Sequence, residues 1–151
     1  MTPDSMWNAY KNAAGMSADE MYAGDFSFEA KGFVGNEKLS LVLSGQKKAV
    51  FTSFATYAID NEPLPVSGEF YVVLDNNEEA RCIIEVSEVS VLEFQDVTWP
   101  MAQLEGEDQN LEEWRAKQQE YLEDEGAIVG FDFTPDMKLV FMSFNLVYSG
   151  N

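Results

Sequence analysis

The strongest constraint on the fold of this chain is a pair of β-forming runs that flank one short polar segment. "EFYVVL" and "ARCIIEVSEVSVLEF" lie on either side of "DNNEE" within residues 69–94. Two such runs joined by a polar turn predict an antiparallel hairpin. Along the longer run the apolar positions change phase, between the first three and the last two of Cys82, Ile84, Val86, Val89 and Val91. The phase change predicts a bulge or a sharp bend, of the kind that small barrels need at their corners.

The first third of the chain has helical signals. A helix is predicted from Thr2, as the N-cap, to Gly15, followed by one more helical turn at residues 17–20. The glycine-rich, aromatic segment "AGDFSFEAKGFVG" is predicted to be a packed loop. After it, Asn36 is the predicted cap of a second helix, which ends at Gly45.

From residue 46 onward the pattern is mostly β. "KKAVFTSFATY" and "LVFMSFNLVY" are predicted strands, and residues 98–104 are a predicted short helix. A longer helix stops at Gly126, and its Trp114 and Tyr121 are predicted to face the core. This order predicts an α+β fold with a small, bent, mostly antiparallel sheet. The length of 151 residues predicts a single domain, 1–151.

The charge of the chain limits what it can bind. Its 27 Asp and Glu, against 9 Lys and Arg, give a formal net charge of -18. Nonspecific nucleic-acid binding depends on neutralising phosphates with Lys and Arg, so nonspecific binding to long nucleic acids is disfavoured. A local positive spot is the remaining route to an RNA contact.

The composition also argues against metal, disulfide and membrane chemistry. There is no histidine, Cys82 is the only cysteine, and "DNNEE" lacks the twelve-residue pattern of an EF-hand. We therefore predict no metal site, no cofactor and no disulfide. No apolar run approaches the roughly 20 residues that span a bilayer. The N-terminal "MTPDSMWNAYK" lacks the pattern of a signal peptide, so we predict a cytoplasmic protein without membrane contact.

Two adjacent lysines, Lys47 and Lys48, stand out in so acidic a chain because they follow a predicted helix end. A cation at that position is favoured by the helix dipole. A lysine acts as a base only where burial or neighbouring cations make it give up its proton. The acidic segment "LEGEDQ" offers candidate partners: Glu105, Glu107 and Asp108. From residue types alone, a solvated cation at a helix end and carboxylates at a helix start explain both segments.

Several segments together resemble the ASCH domain, a member of the PUA-like superfamily. The longer ASCH proteins have a Trp-bearing first helix and runs similar to "LSLVLSGQKKA", "EPLP", "VVLD", "CIIE" and "EGEDQNLEEWR", which occur here in the same order. Each run is weak by itself, but their joint order and spacing are specific and cover nearly the whole chain. The chain is identified as a member of this family, of the longer type.

The resemblance implies an α+β architecture: a small, bent, mostly antiparallel β-barrel of the PUA-like type, with helices packed around it and a ligand cleft beside it. The family motif G-x-K-x-x-T begins at Gly45 and has Lys47 at its lysine, but Val50 stands at its threonine. Thr52 lies two residues further on, where a strand points to the same face, and is the candidate replacement.

The resemblance also implies an acidic partner for the lysine. That partner maps onto Glu105, with Glu107 as the second choice, and the family's usual histidine after "WR" is Gln118 here. The candidate catalytic residues are Lys47, Glu105 and Thr52, and the candidate ligand-binding residues are Lys48, Glu107, Asp108 and Arg115.

Three functions are open. The first is binding of an RNA element or a small nucleotide-like ligand, with Lys47, Lys48 and Arg115 meeting phosphate or a base edge. The second is enzymatic: amide hydrolysis of an acylated pyrimidine nucleoside, with Lys47 as base and Glu105 positioning water or the leaving amine, or else RNA cleavage. The third is a structural or interaction role, in which a member that has lost its site keeps the fold.

All three depend on one distance. Lys47 and Glu105 are far apart in sequence, so only the barrel can bring them together. We predict that their charged groups lie within about 4 to 6 Å of each other, where opposite charges interact strongly. A lysine paired with a carboxylate in this way is suited to binding an anion or polarising a carbonyl, and poorly suited to act as a base.

Overall fold

The computed structural model describes residues 1–28 and 33–149. Within them, five strands form one sheet: β1 Gly24–Ser27, β2 Ala49–Ser53, β3 Phe70–Leu74, β4 Ala80–Glu93 and β5 Lys138–Ser149. Their order is β1-β3-β4-β5-β2; β1 runs parallel to β3, and the other neighbours are antiparallel. The sheet curls into a half-barrel within a mixed α+β fold, which confirms the predicted class.

The helices of the described part of the chain pack around this sheet. They are α1 Pro3–Ala14, α2 Phe33–Leu43, α3 Phe54–Asp60, α4 Trp99–Gln103 and α5 Leu111–Val129, with a 3₁₀ turn at Phe94–Asp96. Among these described helices, none combines the length and the apolar character that a bilayer crossing requires. The predicted ends of α1 are confirmed: the Thr2 hydroxyl accepts a hydrogen bond from the Ser5 N–H, and Gly15 adopts a left-handed conformation.

The predicted hairpin is formed by β3 and β4. In its turn, Asp75 accepts hydrogen bonds from the N–H groups of Asn77 and Glu79, at 2.8 and 3.1 Å. The register of β4 against β5 shifts between Val86 and Glu88, at the predicted phase change. Because a bulge bends and twists its strand, this shift lets one long strand follow the curl of the sheet.

Buried side chains fix the helices to the sheet. α2 places Leu39 and Val42 against one face, and α1 places Met6 and Trp7 against the other. Helices α4 and α5 pack on the part of the sheet that contains β2, through the fully buried Trp114. Burying one large apolar side chain stabilises a fold by about 1.5–3 kcal/mol, so these contacts determine where each helix lies.

Three sequence predictions around β1, β2 and α2 are wrong. The strand predicted through "KKAVFTSFATY" ends at Ser53, whose hydroxyl accepts a hydrogen bond from the Thr56 N–H and caps α3. A serine N-cap outweighs the β-propensity of the aromatic residues that follow it. The predicted glycine-rich loop contains β1, and its residues 29–32 lie outside the described residues. Asn36 lies inside α2 and does not cap it.

Two predicted helix boundaries also change. Helix α5 continues through Gly126 and ends at Gly130, whose φ is 107°. A Cβ at position 126 would lie 2.2 Å from the carbonyl oxygen of Phe131, so this glycine allows the chain to fold back against its own helix. Residues 17–20 form a single hydrogen-bonded turn, in which the Glu20 N–H donates to the Ser17 carbonyl, and not a helical turn.

Candidate ligand cleft

A cleft of about 370 Å³ lies between the two edge strands of the half-barrel. β1 contributes Phe26 to its lining, β2 contributes Val50 and Thr52, and helices α3 and α5 contribute Tyr57 and Tyr121. The open side of the curled sheet therefore forms a concave site.

Lys47 reaches Glu105, at the base of this cleft, because of the way in which α2 ends. Gly45 has a φ of 83°, and the N–H groups of Gln46 and Lys47 both donate to the Leu41 carbonyl, at 2.9 and 3.0 Å. This turn sends the Lys47 side chain inward, where it is fully buried. The predicted helix end is confirmed, and the lysine is not a solvated surface cation.

Two carboxylates surround the Lys47 ammonium group. Its Nζ lies 2.8 Å from Glu107 Oε2, 3.5 Å from Glu105 Oε2 and 3.4 Å from the Glu105 carbonyl oxygen. The Phe28 ring centroid is 5.8 Å away. Lys47 and Glu105 are thus even closer than predicted, although Glu107, the second choice from the sequence, is the nearer partner.

Glu105 is held rigidly at the base of the cleft. It is only 6% exposed, yet it lines the cleft. Its Oε1 accepts a hydrogen bond from Trp114 Nε1 at 2.6 Å, and its Oε2 accepts one from the Phe51 backbone N–H at 3.2 Å. Together with Lys47, three N–H donors fix the orientation of this carboxylate.

Gly106 makes this arrangement sterically possible. Its φ is 73°, and a Cβ there would lie 2.4 Å from the Gln46 carbonyl oxygen. Gln46 Nε2 donates to the Gly106 carbonyl at 2.7 Å, which ties the two segments together. The glycine of "EGE" therefore allows the carboxylates on both sides of it to reach one lysine.

Lys38, on α2, completes the cluster. No sequence motif contains this residue. Its Nζ lies 3.1 Å from Glu107 Oε1. Burial alone would raise the pKa of Glu107, but the ammonium groups of Lys47 and Lys38 outweigh burial and hold that pKa below its ordinary value. We refer to Lys38, Lys47, Glu105 and Glu107 as the charged floor of the cleft; Lys38 and Glu105 line the cleft, while Lys47 and Glu107 contact them from outside the lining.

The other predicted site residues lie in different places. Thr52 lines the cleft and alternates with buried residues of β2, on the same face as Val50, as predicted. Lys48 is exposed and lies outside the lining. Asp108 pairs with Lys117 at 2.8 Å, and Arg115 is exposed and contacts the Gln95 carbonyl at 3.4 Å. The structure therefore brings Lys47, Glu105, Glu107 and Thr52 together, but not Lys48, Asp108 or Arg115.

Aromatic side chains form the sides of the cleft. We refer to Phe26, Tyr57, Tyr71 and Tyr121 as the aromatic walls. The rings of Phe26 and Tyr71 are 5.9 Å apart in an edge-to-face arrangement. Tyr121 is 37% exposed, so its predicted place in the core is wrong, whereas Trp114 is buried as predicted.

The cleft has acidic surroundings. The exposed carboxyl residues Asp25 and Glu62 line it beside the walls. Burial, followed by the neighbouring Glu69, Tyr57 and Glu62, raises the pKa of Tyr71 to about 12. Within the described ranges, 1–28 and 33–149, no three acidic or cysteine side chains converge as a metal ion would require.

A curled, mostly antiparallel half-barrel with a cleft between its edge strands is a PUA-like architecture. The ASCH domain family matches residues 25–148, and the chain belongs to this family.

Two solved structures are similar over most of their length. One is the crystal structure of an ASCH domain from Lactobacillus crispatus JV V101, with 27% identity, 97% of this chain and 94% of that chain covered, and a TM-score of 0.85. The other is a protein from Enterococcus faecalis V583, of the DUF984 family. It is 26% identical, the match covers 95% of this chain and 86% of that chain, and the TM-score is 0.86. Among curated proteins, none matches this chain. Membership of the ASCH family supports a general role in RNA binding.

Proposed function

We propose that this protein binds a nucleoside, or a single unpaired RNA base, in the cleft between β1 and β2. The observation that carries the proposal is a buried, oriented carboxylate, Glu105, at the base of a cleft with aromatic walls. The cleft volume of about 370 Å³ is within the range of small-molecule sites. Aromatic side chains bind unstacked bases through their faces.

The charged floor supports recognition of a base edge. A carboxylate has about four positions at which it accepts hydrogen bonds. Trp114, Phe51 and Lys47 occupy three of them. The remaining position, on Glu105 Oε1, is available to a ligand N–H, such as an exocyclic amine or a ring imino group.

The same contacts argue against a phosphate at the base of the cleft. Lys47 is fully buried and already contacts two carboxylates. Lys48 and Arg115, the other predicted phosphate contacts, lie outside the lining. A ligand held mainly by stacking and base-edge hydrogen bonds should therefore bind with weak salt dependence, since that dependence follows the number of phosphates neutralised.

Calorimetric titration tests this proposal with the four common nucleosides and a short single-stranded RNA, each at two salt concentrations. We expect binding that changes little with salt. Tyr121→Ala should weaken binding by about 5- to 150-fold, because one base–aromatic stack contributes about 1–3 kcal/mol. Ile128→Ala is the matched control, because Ile128 is exposed on the same helix and lies outside the cleft. Absence of binding, or steeply salt-dependent RNA binding that Tyr121→Ala leaves unchanged, would reject the proposal.

Amide hydrolysis of an acylated pyrimidine nucleoside is a second candidate, favoured by one observation: Thr52 and Glu105 line the same cleft. In this reaction water adds to the amide carbonyl carbon, the C–N bond breaks, and the leaving amine takes a proton. In this candidate reaction Glu105 orients the water, and Lys47, outside the lining, acts through its contact with Glu105. The Lys47 Nζ donates hydrogen bonds to two carboxylates. This arrangement does not support the role of base that the sequence suggested for Lys47.

Turnover of 4-acetylcytidine tests the hydrolytic candidate. If Thr52 supplies a hydroxyl to the reaction, the near-isosteric Thr52→Val should abolish turnover while the protein still binds cytidine. Equal rates in wild type and Thr52→Val would remove Thr52 from the mechanism, and equal rates in Lys47→Ala would remove Lys47. Cleavage of RNA without added metal would instead support the ribonuclease alternative.

A further inference from the structure

We propose that the cleft recognises a flat aromatic cation and, among nucleosides, prefers a base that carries a positive charge from N-alkylation over its neutral counterpart. The nucleoside part of this inference rests on the proposed function, whereas the preference for a cation follows from the charges and rings of the cleft itself.

The charges that line the cleft do not balance. In the charged floor, two lysines and two glutamates cancel. Asp25 and Glu62 also line the cleft, and neither forms an ion pair with any residue of the described ranges. Residues 29–32, outside those ranges, contain one acidic and one basic residue, so their formal net charge is zero. Among the described residues, these two carboxylates therefore have no oppositely charged partner and can interact with a ligand.

The aromatic walls favour the same kind of ligand. The face of an aromatic ring carries negative charge density, which attracts cations. Phe26, Tyr57 and Tyr71 line one continuous cleft with Tyr121. A flat cation can stack on such rings and meet the carboxylates with its edge, whereas a compact ammonium ion would use only the charge and a neutral base only the stacking.

The behaviour of Tyr71 points to a negative potential in this part of the cleft. Burial comes first among the causes that raise the pKa of its phenol, and the neighbouring Glu69, Tyr57 and Glu62 raise it further. The part of this shift that comes from the carboxylates Glu69 and Glu62 reflects a negative potential, and such a potential also stabilises a bound cation.

Two matched ligand pairs separate charge from shape. 1-Methyladenosine and N6-methyladenosine have the same heavy atoms, but only the first is cationic at pH 7. N-methylquinolinium and the neutral, isosteric 1-methylnaphthalene form an equivalent pair without a ribose. We expect the cation of each pair to bind about tenfold more tightly, because a partly desolvated cation–π contact with a nearby carboxylate is of that size.

Substitution of the two carboxylates assigns the cause. Asp25→Asn with Glu62→Gln should reduce the preference to about twofold or less, if the cation contacts these groups. Glu20→Gln is the control, because Glu20 is exposed and lies outside the lining. A preference that the double variant keeps in full would overturn the inference.

The remaining outcomes distinguish the two proposals. Preference for N-methylquinolinium without binding of either methylated nucleoside or of the four common nucleosides would support the cation site and reject nucleoside binding. Nucleoside binding in which the neutral form is equal or tighter would overturn the cation site and leave the nucleoside proposal standing. Binding of none of the four compounds would overturn the cation site, and absence of binding of the common nucleosides as well would overturn both proposals.

Discussion

The charged floor and the aromatic walls belong to one cleft, which the walls, Lys38 and Glu105 line, but they are built in opposite ways. In the floor, Lys47 is fully buried and each charge has an oppositely charged partner within 3.5 Å. In the walls, rings such as Tyr121 remain partly exposed and lie on β1, β3, α3 and α5. The floor therefore uses its charges within the protein, while the walls leave ring surface exposed to the cleft. Stability should depend on the floor, and binding on the walls.

Lys47→Met should have the largest effect on stability. It removes the cation but keeps the length of the side chain, so Glu105 and Glu107 remain beside each other without their shared partner. Breaking a buried ion pair in this way costs about 3–5 kcal/mol of unfolding free energy. Urea unfolding of this variant and of Lys48→Met, at the exposed neighbour, measures the difference. Equal stability of the two variants would contradict the buried floor.

Glu105→Gln should have the next largest effect. All three groups that contact the Glu105 side chain are N–H donors, so the amide NH₂ of glutamine must face a donor. A buried donor left without an acceptor costs about 1–3 kcal/mol. Glu120→Gln, at an exposed position of α5, provides the control in thermal or urea unfolding. An unchanged midpoint for Glu105→Gln would show that these hydrogen bonds do not hold the carboxylate.

The pH dependence of stability should reveal the pairing of Glu107 with Lys38. The pKa of Glu107 is held below its ordinary value of 4.5 in the folded protein, so its ionisation stabilises the fold above that value. This contribution is lost as the pH falls through the lower, folded pKa. Lys38→Met should therefore be about 1 kcal/mol less stable than wild type at pH 7.

The difference between these two proteins should begin to shrink below about pH 4.5 and should disappear only once the pH is below the lower, folded pKa of Glu107, where this carboxyl is protonated in both. Comparing them at each pH removes the background from the other acidic residues. A difference that stays constant from neutral pH to strong acid would argue against the Lys38–Glu107 pair.

Tyr121→Ala should have the smallest effect on stability. The unfolding free energy should change by no more than about 0.5 kcal/mol, which is the usual limit for surface substitutions away from buried networks. Its ring is more than a third exposed. A loss of more than about 2 kcal/mol on unfolding in urea would place Tyr121 in the core, as the sequence pattern predicts, and not in a binding wall.

Much of the fold can be predicted from the chain, because the information is local. Alternation along β4 and its phase change predict the bulge at 86–88, and Thr2 and Gly15 define α1. The strand predicted through residues 54–57 fails because the hydroxyl of one residue, Ser53, ends β2 and caps a helix there.

The candidate site is less accessible to sequence analysis, because its contacts are distant in the chain. The family resemblance brings Lys47 and Glu105 together, but it does not predict that Glu107 is nearer. That depends on the left-handed turn at Gly106 and its close approach to Gln46. Lys38 is missed because it has no motif. The sequence marks Lys38 only by the rarity of basic residues in so acidic a chain.

The central claim, that a nucleoside contacts the floor between the walls, is tested most directly by the indole N–H signal of Trp114 in ¹H–¹⁵N spectra. This N–H donates to Glu105 Oε1, while the Trp7 indole donates to the Glu20 backbone carbonyl and provides an internal reference. The labelled protein is titrated with the four common nucleosides and 1-methyladenosine, and the signals are assigned with Trp114→Phe. We predict a saturable shift of the Trp114 signal with at least one of these ligands, without movement of the Trp7 signal. A Trp114 signal that none of them moves would contradict the claim, as would equal movement of both indole signals.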